Sequence, residues 1–219
     1  MNEERSRKER EKLVHYISGF AASKQEIKNA FLSVRRENFM EGAPQEAIYG
    51  DHAFPIGEGQ TISQPSTIAA MLELLGAEEG MEVLEVGSGS GYVLALLSKI
   101  VGEKGKVHGI EISESLAQKC KKNLEKEGVK NAEVIKGDGS MGWPKKMEFD
   151  RVLFSCACPY IPKTVFDQLK EGGRIVAPVG DEHAQVLEIM EKQKGRPFKK
   201  SHEGGIFVFV PLKGEHGFK

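Results

Sequence analysis

The sequence predicts an α/β fold built on a doubly wound, mostly parallel sheet. Three observations carry that expectation. Short β-type apolar runs alternate with amphipathic helical patterns; a glycine turn, Gly87-Ser88-Gly89-Ser90-Gly91, joins one run to one helix; and an acidic residue, Glu111, closes the next run. With 219 residues the chain can bury a full hydrophobic core, and nothing in it separates two halves of viable size. The expectation is one domain over 1–219, with N-terminal helices and a loop in 1–64, a ligand-binding core in 65–182, and a hairpin and tail in 183–219.

Taken in order, helices fit 4–18 and 25–34, the second with Ile27, Ala30, Phe31 and Val34 on one face and Ser23 placed to cap it. Residues 55–65, Pro-Ile-Gly-Glu-Gly-Gln-Thr-Ile-Ser-Gln-Pro, fit no regular element. Prolines restrict φ at both ends, glycines allow positive φ inside, and Thr61, Ser63 and Gln64 add small polar groups, so the stretch reads as a built loop suited to a site wall. Ile68, Met71, Leu72 and Leu75 then recur at helical spacing between Pro65 and Gly76. Strand 82–87, helix 91–101, strand 106–111, a helix over 114–127 bounded by Ser113 and Gly128, and strand 132–136 follow. Strand 151–156, helix 163–170 stopped by Gly172-Gly173, and strand 174–179 continue the alternation. The last apolar segments, 184–193 and 205–211, are spaced by Lys194-Gly195-Arg196-Pro197 and read as a closing hairpin.

The glycine turn is of the nucleotide-binding strand-turn-helix type, in which glycines let the backbone approach a ligand and the helix start offers unpaired N–H groups. The dinucleotide form G-x-G-x-x-G is not met, because Tyr92 stands where the third glycine belongs, and NAD is disfavoured. Glu85-x-Gly87-x-Gly89-x-Gly91, followed by Glu111 at the end of the next strand, is instead the form seen in S-adenosylmethionine methyltransferases. With the 55–65 loop added, the chain resembles the protein-L-isoaspartate (D-aspartate) O-methyltransferase family. The match takes in Tyr49-Gly50-Asp51, the loop, the glycine turn through Tyr92, Gly137 to Pro144, Phe149 to Val152, Pro159 to Pro162, Gln168 to Arg174, Pro178 to Gly180 and Phe207 to Leu212. Many methyltransferases share the glycine turn; Gln60-Thr61-Ile62-Ser63 and Val210-Pro211-Leu212 are more particular.

The resemblance implies a Rossmann-like sheet with an antiparallel strand near the end and S-adenosylmethionine as cofactor. It implies methyl transfer to the free α-carboxyl of L-isoaspartyl residues in damaged proteins, and activity on D-aspartyl residues, with repair proceeding through a succinimide. A carboxylate is ionised at neutral pH, so no general base is needed, in keeping with a sequence that offers no Ser-His-Asp or paired-carboxylate constellation. Ser63 matches the family's active-site serine and would orient the substrate carboxylate; capping the helix at Pro65 is its alternative. Thr61, Ile62, Val210, Pro211 and Leu212 would line the substrate groove. Gly87, Ser88 and Gly89 would bring backbone donors to the cofactor's carboxylate, with Glu85 near its amino end; Ser88 could instead cap a helix. Glu111 is placed to accept from the ribose hydroxyls, or is a solvated strand end. Ile112, with Ile110, flanks the adenine or belongs to the core. Asp138, followed by Gly139, matches the acceptor for the adenine amine, with an Asx turn as its alternative.

Net charge of −1 gives no general attraction to nucleic acid or anionic membrane. The charged N-terminus lacks an apolar run, and no segment approaches a membrane span, so a cytoplasmic monomer acting on isoaspartyl-containing proteins is expected. Cys120, Cys156 and Cys158 suit a reducing compartment, the C-x-C pair serving as packing, and six scattered histidines offer no metal site. Two competing readings are a nucleic-acid (tRNA) methyltransferase, from Ala157-Cys158-Pro159-Tyr160 where [ND]-P-P-[YF] would stand, and a non-catalytic cofactor-binding interaction module. Ala157 lacks the carbonyl acceptor the first requires, and the intact Thr61-Ile62-Ser63 loop argues against the second. Glu58 stands where many relatives have His, and its charge is expected to weaken carboxylate binding.

Overall fold

The computed structural model describes residues 3–202 and 204–219. Helices α1 (Glu3–Ser18) and α2 (Gln25–Ser33) lead through a 3-10 turn at Arg36–Phe39 and the short α3 (Gln45–Ile48) to β1 (Phe54–Gly57) and β2 (Gln60–Ile62). Next come α4 (Pro65–Leu75), β3 (Glu82–Val86), α5 (Tyr92–Val101), β4 (Lys106–Glu111), α6 (Glu114–Glu127) and β5 (Ala132–Lys136). After a 3-10 turn at Gly139–Met141 the chain adds β6 (Phe149–Phe154), α7 (Lys163–Asp167), β7 (Leu169–Gly180), β8 (Gln185–Gln193) and β9 (Arg196–Ser201).

Seven strands form the main sheet in the order β5-β4-β3-β6-β7-β8-β9. The pairings from β5 to β7 are parallel, and β8 and β9 join antiparallel. Side chains alternate between the two faces, as the period of a strand dictates. Val83 and Leu153 join Leu13, Ile27, Ile68 and Leu94 from the helices on one side, while Leu84, Val86, Val152 and Phe154 pack with Phe166 on the other. Every residue of α5 except Lys99 is buried, which explains its almost uninterrupted apolar run. The order reverses between β3 and β6, so the loops leaving their carboxyl ends diverge and open a crevice.

The alternating elements agree with the sequence reading, including the left-handed Gly76 after α4 and Ser113 and Gly128 at the ends of α6. Four expectations need correction. Residues 55–65 are not free of regular structure: β1 and β2 pair antiparallel, and the tip turns on three positive φ values, Gly57 at 100°, Glu58 at 54° and Gly59 at 68°. The closing hairpin pairs β8 with 196–201, not with 205–211. Lys194 and Gly195 both adopt left-handed conformations, so a two-residue turn brings Arg196 opposite Gln193 at once, and Pro197 is tolerated because β9 is an edge. The segment 205–211 touches the sheet by isolated bridges, Phe207 beside Gln185 and Pro211 beside Ala157. Gly172-Gly173 does not stop a helix: α7 ends at Asp167, and the glycines lie within β7, where its register with β6 slips. Ser23 does not cap α2; Lys24 holds that position and the Ser23 hydroxyl donates to Glu73 at 2.8 Å.

Candidate active site

Two clefts lie at the carboxyl ends of the parallel strands. The first, of about 520 Å³, is framed by Gly87, Gly89, Glu111, Ile112, Gly139 and Ser155. The second, of about 680 Å³, opens between Ser63, Gln64 and Thr67 on one side and Ile206 to Val210 on the other. Thr61 and Val210 line both. They form a shared wall because the 205–212 segment is drawn to the end of β6: the Ala157 amide donates to Val210 O at 2.9 Å and the Leu212 amide to Ala157 O at 2.7 Å.

Glu111 ends β4 as expected and is 5% exposed. Its Oε2 accepts the Gly89 amide at 2.8 Å and its Oε1 the Ser113 amide at 3.0 Å, so one carboxylate ties the glycine turn to the start of α6. Each oxygen keeps a second lone pair for a ligand. The amides of Gly87 and Ser88 do not point at a ligand: both donate to Ile110 O, at 2.9 and 3.2 Å. The Ser88 hydroxyl turns toward Gly109, where a Cβ would stand 2.5 Å from its Oγ, and it caps no helix.

Glu85 lies beneath the first cleft rather than in its wall, 1% exposed. The Ser155 hydroxyl, which does line the cleft, donates to Glu85 Oε1 at 2.6 Å, while Oε2 is buried with no partner among the described residues. Burial pushes this carboxyl up to about 8, against the Ser155 hydrogen bond. Between the ordinary carboxylate value and about 8 the folded protein therefore keeps a proton that the unfolded chain has released. Stability from this group is full at acid pH and lost as pH rises through that window. Glu85→Gln, neutral throughout, should match the parent in urea midpoint near pH 5 and exceed it by pH 9, by a margin on the order of a few kcal/mol. A pH-independent difference would show that Glu85 is ionised in the folded apo-protein.

Asp138 accepts the Ser140 amide and hydroxyl on Oδ1, at 2.9 and 2.7 Å, and the Glu215 amide on Oδ2 at 2.8 Å. The Asx turn is therefore present, and the C-terminal tail lies across the carboxylate. Pro211 and Leu212 line the first cleft and not the second, and Ile62 lines neither, being 4% exposed in the core. Of the groove residues expected from sequence, Thr61 and Val210 face Ser63's cleft.

Ser63 does not cap α4. Gln64 is the N-cap residue, and the first-turn amide of Ser66 is taken by Asp51 Oδ1 at 2.8 Å, while Gln64 Nε2 donates to Asp51 Oδ2 at 2.9 Å. Asp51 carries no family-independent signal beyond its place in Tyr49-Gly50-Asp51, and Arg36, which donates to the Ser63 carbonyl, gave none. Glu58 lines neither cleft; it accepts from the Ser115 hydroxyl at 3.0 Å near the start of α6, where the helix end favours its charge. Cys158 and Cys156 are buried thiols, the first pushed by burial to about 12 and the second well above its ordinary value, as packing groups should be.

A family model described as protein-L-isoaspartate(D-aspartate) O-methyltransferase matches residues 8–217. The chain is 39% identical over 227 residues to the protein-L-isoaspartate O-methyltransferase of Methanosarcina mazei, covering 100% of this chain and 92% of that protein. It is 43% identical over 213 residues to that of Petrotoga mobilis, covering 96% and 98%. A solved protein-L-isoaspartate O-methyltransferase superposes with a TM-score of 0.87 at 32% identity, over 95% of this chain and 67% of that one. A Plasmodium falciparum chain, described as bound to S-adenosyl-L-homocysteine, shares the fold with a TM-score of 0.80 at 23% identity, over 92% and 97%.

Proposed function

Because the chain belongs to the protein-L-isoaspartate(D-aspartate) O-methyltransferase family, we propose that its first cleft holds S-adenosylmethionine and its second the isoaspartyl carboxylate. The enzyme methylates isoaspartyl residues of damaged proteins at the expense of that cofactor. The observation that carries the assignment of the two clefts is that both are lined by Thr61 and Val210, so that a group held in one would adjoin a group held in the other. The donor set fits the cofactor: Glu111 offers free lone pairs for a ribose diol, Ile110 and Ile112 apolar walls for a base, and Glu85, beneath the wall, acts through the Ser155 hydroxyl that it holds at the cleft. Gly139 lines the cleft and packs closely on Val86, where a Cβ would lie 2.6 Å from the Val86 side chain, so no larger residue fits there.

When bound, S-adenosylmethionine supplies an electrophilic methyl group. The protein's own part is positioning and exclusion of water. Among the described residues the Ser63 hydroxyl makes no hydrogen bond, so it is free to donate to one oxygen of the substrate carboxylate and leave the other as nucleophile. Ile206 and Val208, both 76% exposed, offer an apolar rim for the flanking peptide. The ester that forms is more electrophilic than the carboxylate; the following backbone nitrogen expels methanol, and the succinimide opens partly to normal aspartate without a second active site. The three buried free cysteines fit a reducing cytoplasm.

Paired peptides differing only in Asp and isoAsp, with tRNA alongside, test the specificity under labelled S-adenosylmethionine. Label is expected in the isoaspartyl peptide alone. Equal labelling of the two peptides, or labelling of the RNA, overturns the reading.

A further inference from the structure

We infer that Arg36 is a positioning residue for methyl transfer, fixing the Ser63 peptide against the helix that opens at the glycine turn; the inference rests on the role of Ser63 given above. Arg36 is wholly buried, at 0% exposure. Its Nε donates to Ile48 O at 2.9 Å and its Nη2 to Ser63 O at 3.0 Å. The guanidinium carbon stands 4.8 Å from the centroid of the Tyr92 ring, and Tyr92 is the first residue of α5, directly after Gly91. Phe31 and Phe39 hold that ring from other sides, at centroid distances of 6.2 and 5.6 Å. One rigid planar fork thus spans the loop that carries Ser63 and the helix that follows the glycine turn.

Stability alone gives no reason for such a group. Among the described residues, Nη1 is buried without a hydrogen-bond partner. Replacing a buried ionic group by an apolar side chain of similar volume is often neutral or stabilising, even where a carboxylate such as Asp51 acts favourably on the charge, so packing does not call for arginine here. What the fork achieves is registry. Asp51 fixes the residues after Ser63 from one side, through Gln64 and Ser66, and Arg36 fixes the Ser63 carbonyl from the other. The hydroxyl that meets the substrate is held at both flanks relative to the cofactor cleft. Geometry of this kind matters to rate, since a displacement of about 1 Å costs a factor on the order of 100.

Arg36→Lys keeps the charge and removes the fork. Its turnover of isoaspartyl peptide should fall on the order of 10-fold or more, with KM for the peptide raised and affinity for S-adenosylhomocysteine within about 3-fold of the parent. In the Arg36→Lys background, Ser63→Ala should add little further loss, because the hydroxyl it removes is already misplaced. If the two losses multiply instead, or if Arg36→Lys turns over like the parent, the inference is overturned. If Ser63→Ala alone leaves turnover intact, it is the Ser63 reading that fails. Should Arg36→Lys not fold, Tyr92→Leu decides: it leaves the fork's two hydrogen bonds but removes the ring beneath it, and it should lower turnover while keeping the isoaspartyl specificity. Parent-like turnover in folded Tyr92→Leu overturns the coupling.

Discussion

Alanine at position 63 is expected to lower turnover of an isoaspartyl peptide roughly 10-fold or more, the scale of one lost hydrogen bond of about 1.5–3 kcal/mol to a charged group. Cofactor affinity and melting temperature should stay near those of the parent, since α4 takes its cap from Asp51. Asp51→Ala is the counterpart: it should cost about 1 kcal/mol, or about 2–4 °C in a chain of this size. Ser63→Asp sets a like charge against the substrate carboxylate and should abolish activity in a protein that still folds. An active, folded Ser63→Asp enzyme would remove Ser63 from the mechanism.

Glu111→Ala should raise the dissociation constant for S-adenosylhomocysteine on the order of 10- to 100-fold, as expected for losing charge-assisted hydrogen bonds of about 1.5–3 kcal/mol. Two effects combine. The ribose loses its acceptors, and the amides of Gly89 and Ser113 lose the carboxylate that ties them together. Titration calorimetry reads the affinity, and circular dichroism confirms that the variant is folded. Unchanged affinity in the folded variant means that the ribose does not sit at Glu111.

The alternating core was legible because each signal is local. A buried parallel strand reads as an apolar run, Gly76 and Gly128 close helices in the left-handed region, and Glu111 falls where a strand must end. Ser63 was legible from the family loop, but its freedom from capping was not, because the cap comes from Asp51, twelve positions earlier than Ser63 and in a segment without regular pattern. The amides of Gly87 and Ser88 misled for a related reason: glycine permits an approach to a ligand or to a neighbouring strand, and here the Ile110 carbonyl takes both. The closing hairpin was misread because Arg196 and Pro197 look like loop, whereas the left-handed pair Lys194-Gly195 forces immediate pairing. Arg36 left no trace, since a buried arginine looks in sequence like any surface cation.

The clamp on Asp138 bears on how the enzyme ages. Asp138-Gly139 is the one Asp-Gly step in the chain, and Asn-Gly does not occur. Such steps isomerise most readily, because a following glycine lets its nitrogen swing onto the side-chain carbon of the aspartyl residue, and the protonated acid reacts best. Burial would raise the Asp138 carboxyl toward that reactive form, but the Glu215 amide and the hydroxyl and amide of Ser140 hold it below the ordinary carboxylate value. Ring closure would have to break three hydrogen bonds and unseat the C-terminal tail. The catalyst that mends isomerised aspartates thus keeps its own most vulnerable one locked away from the same decay.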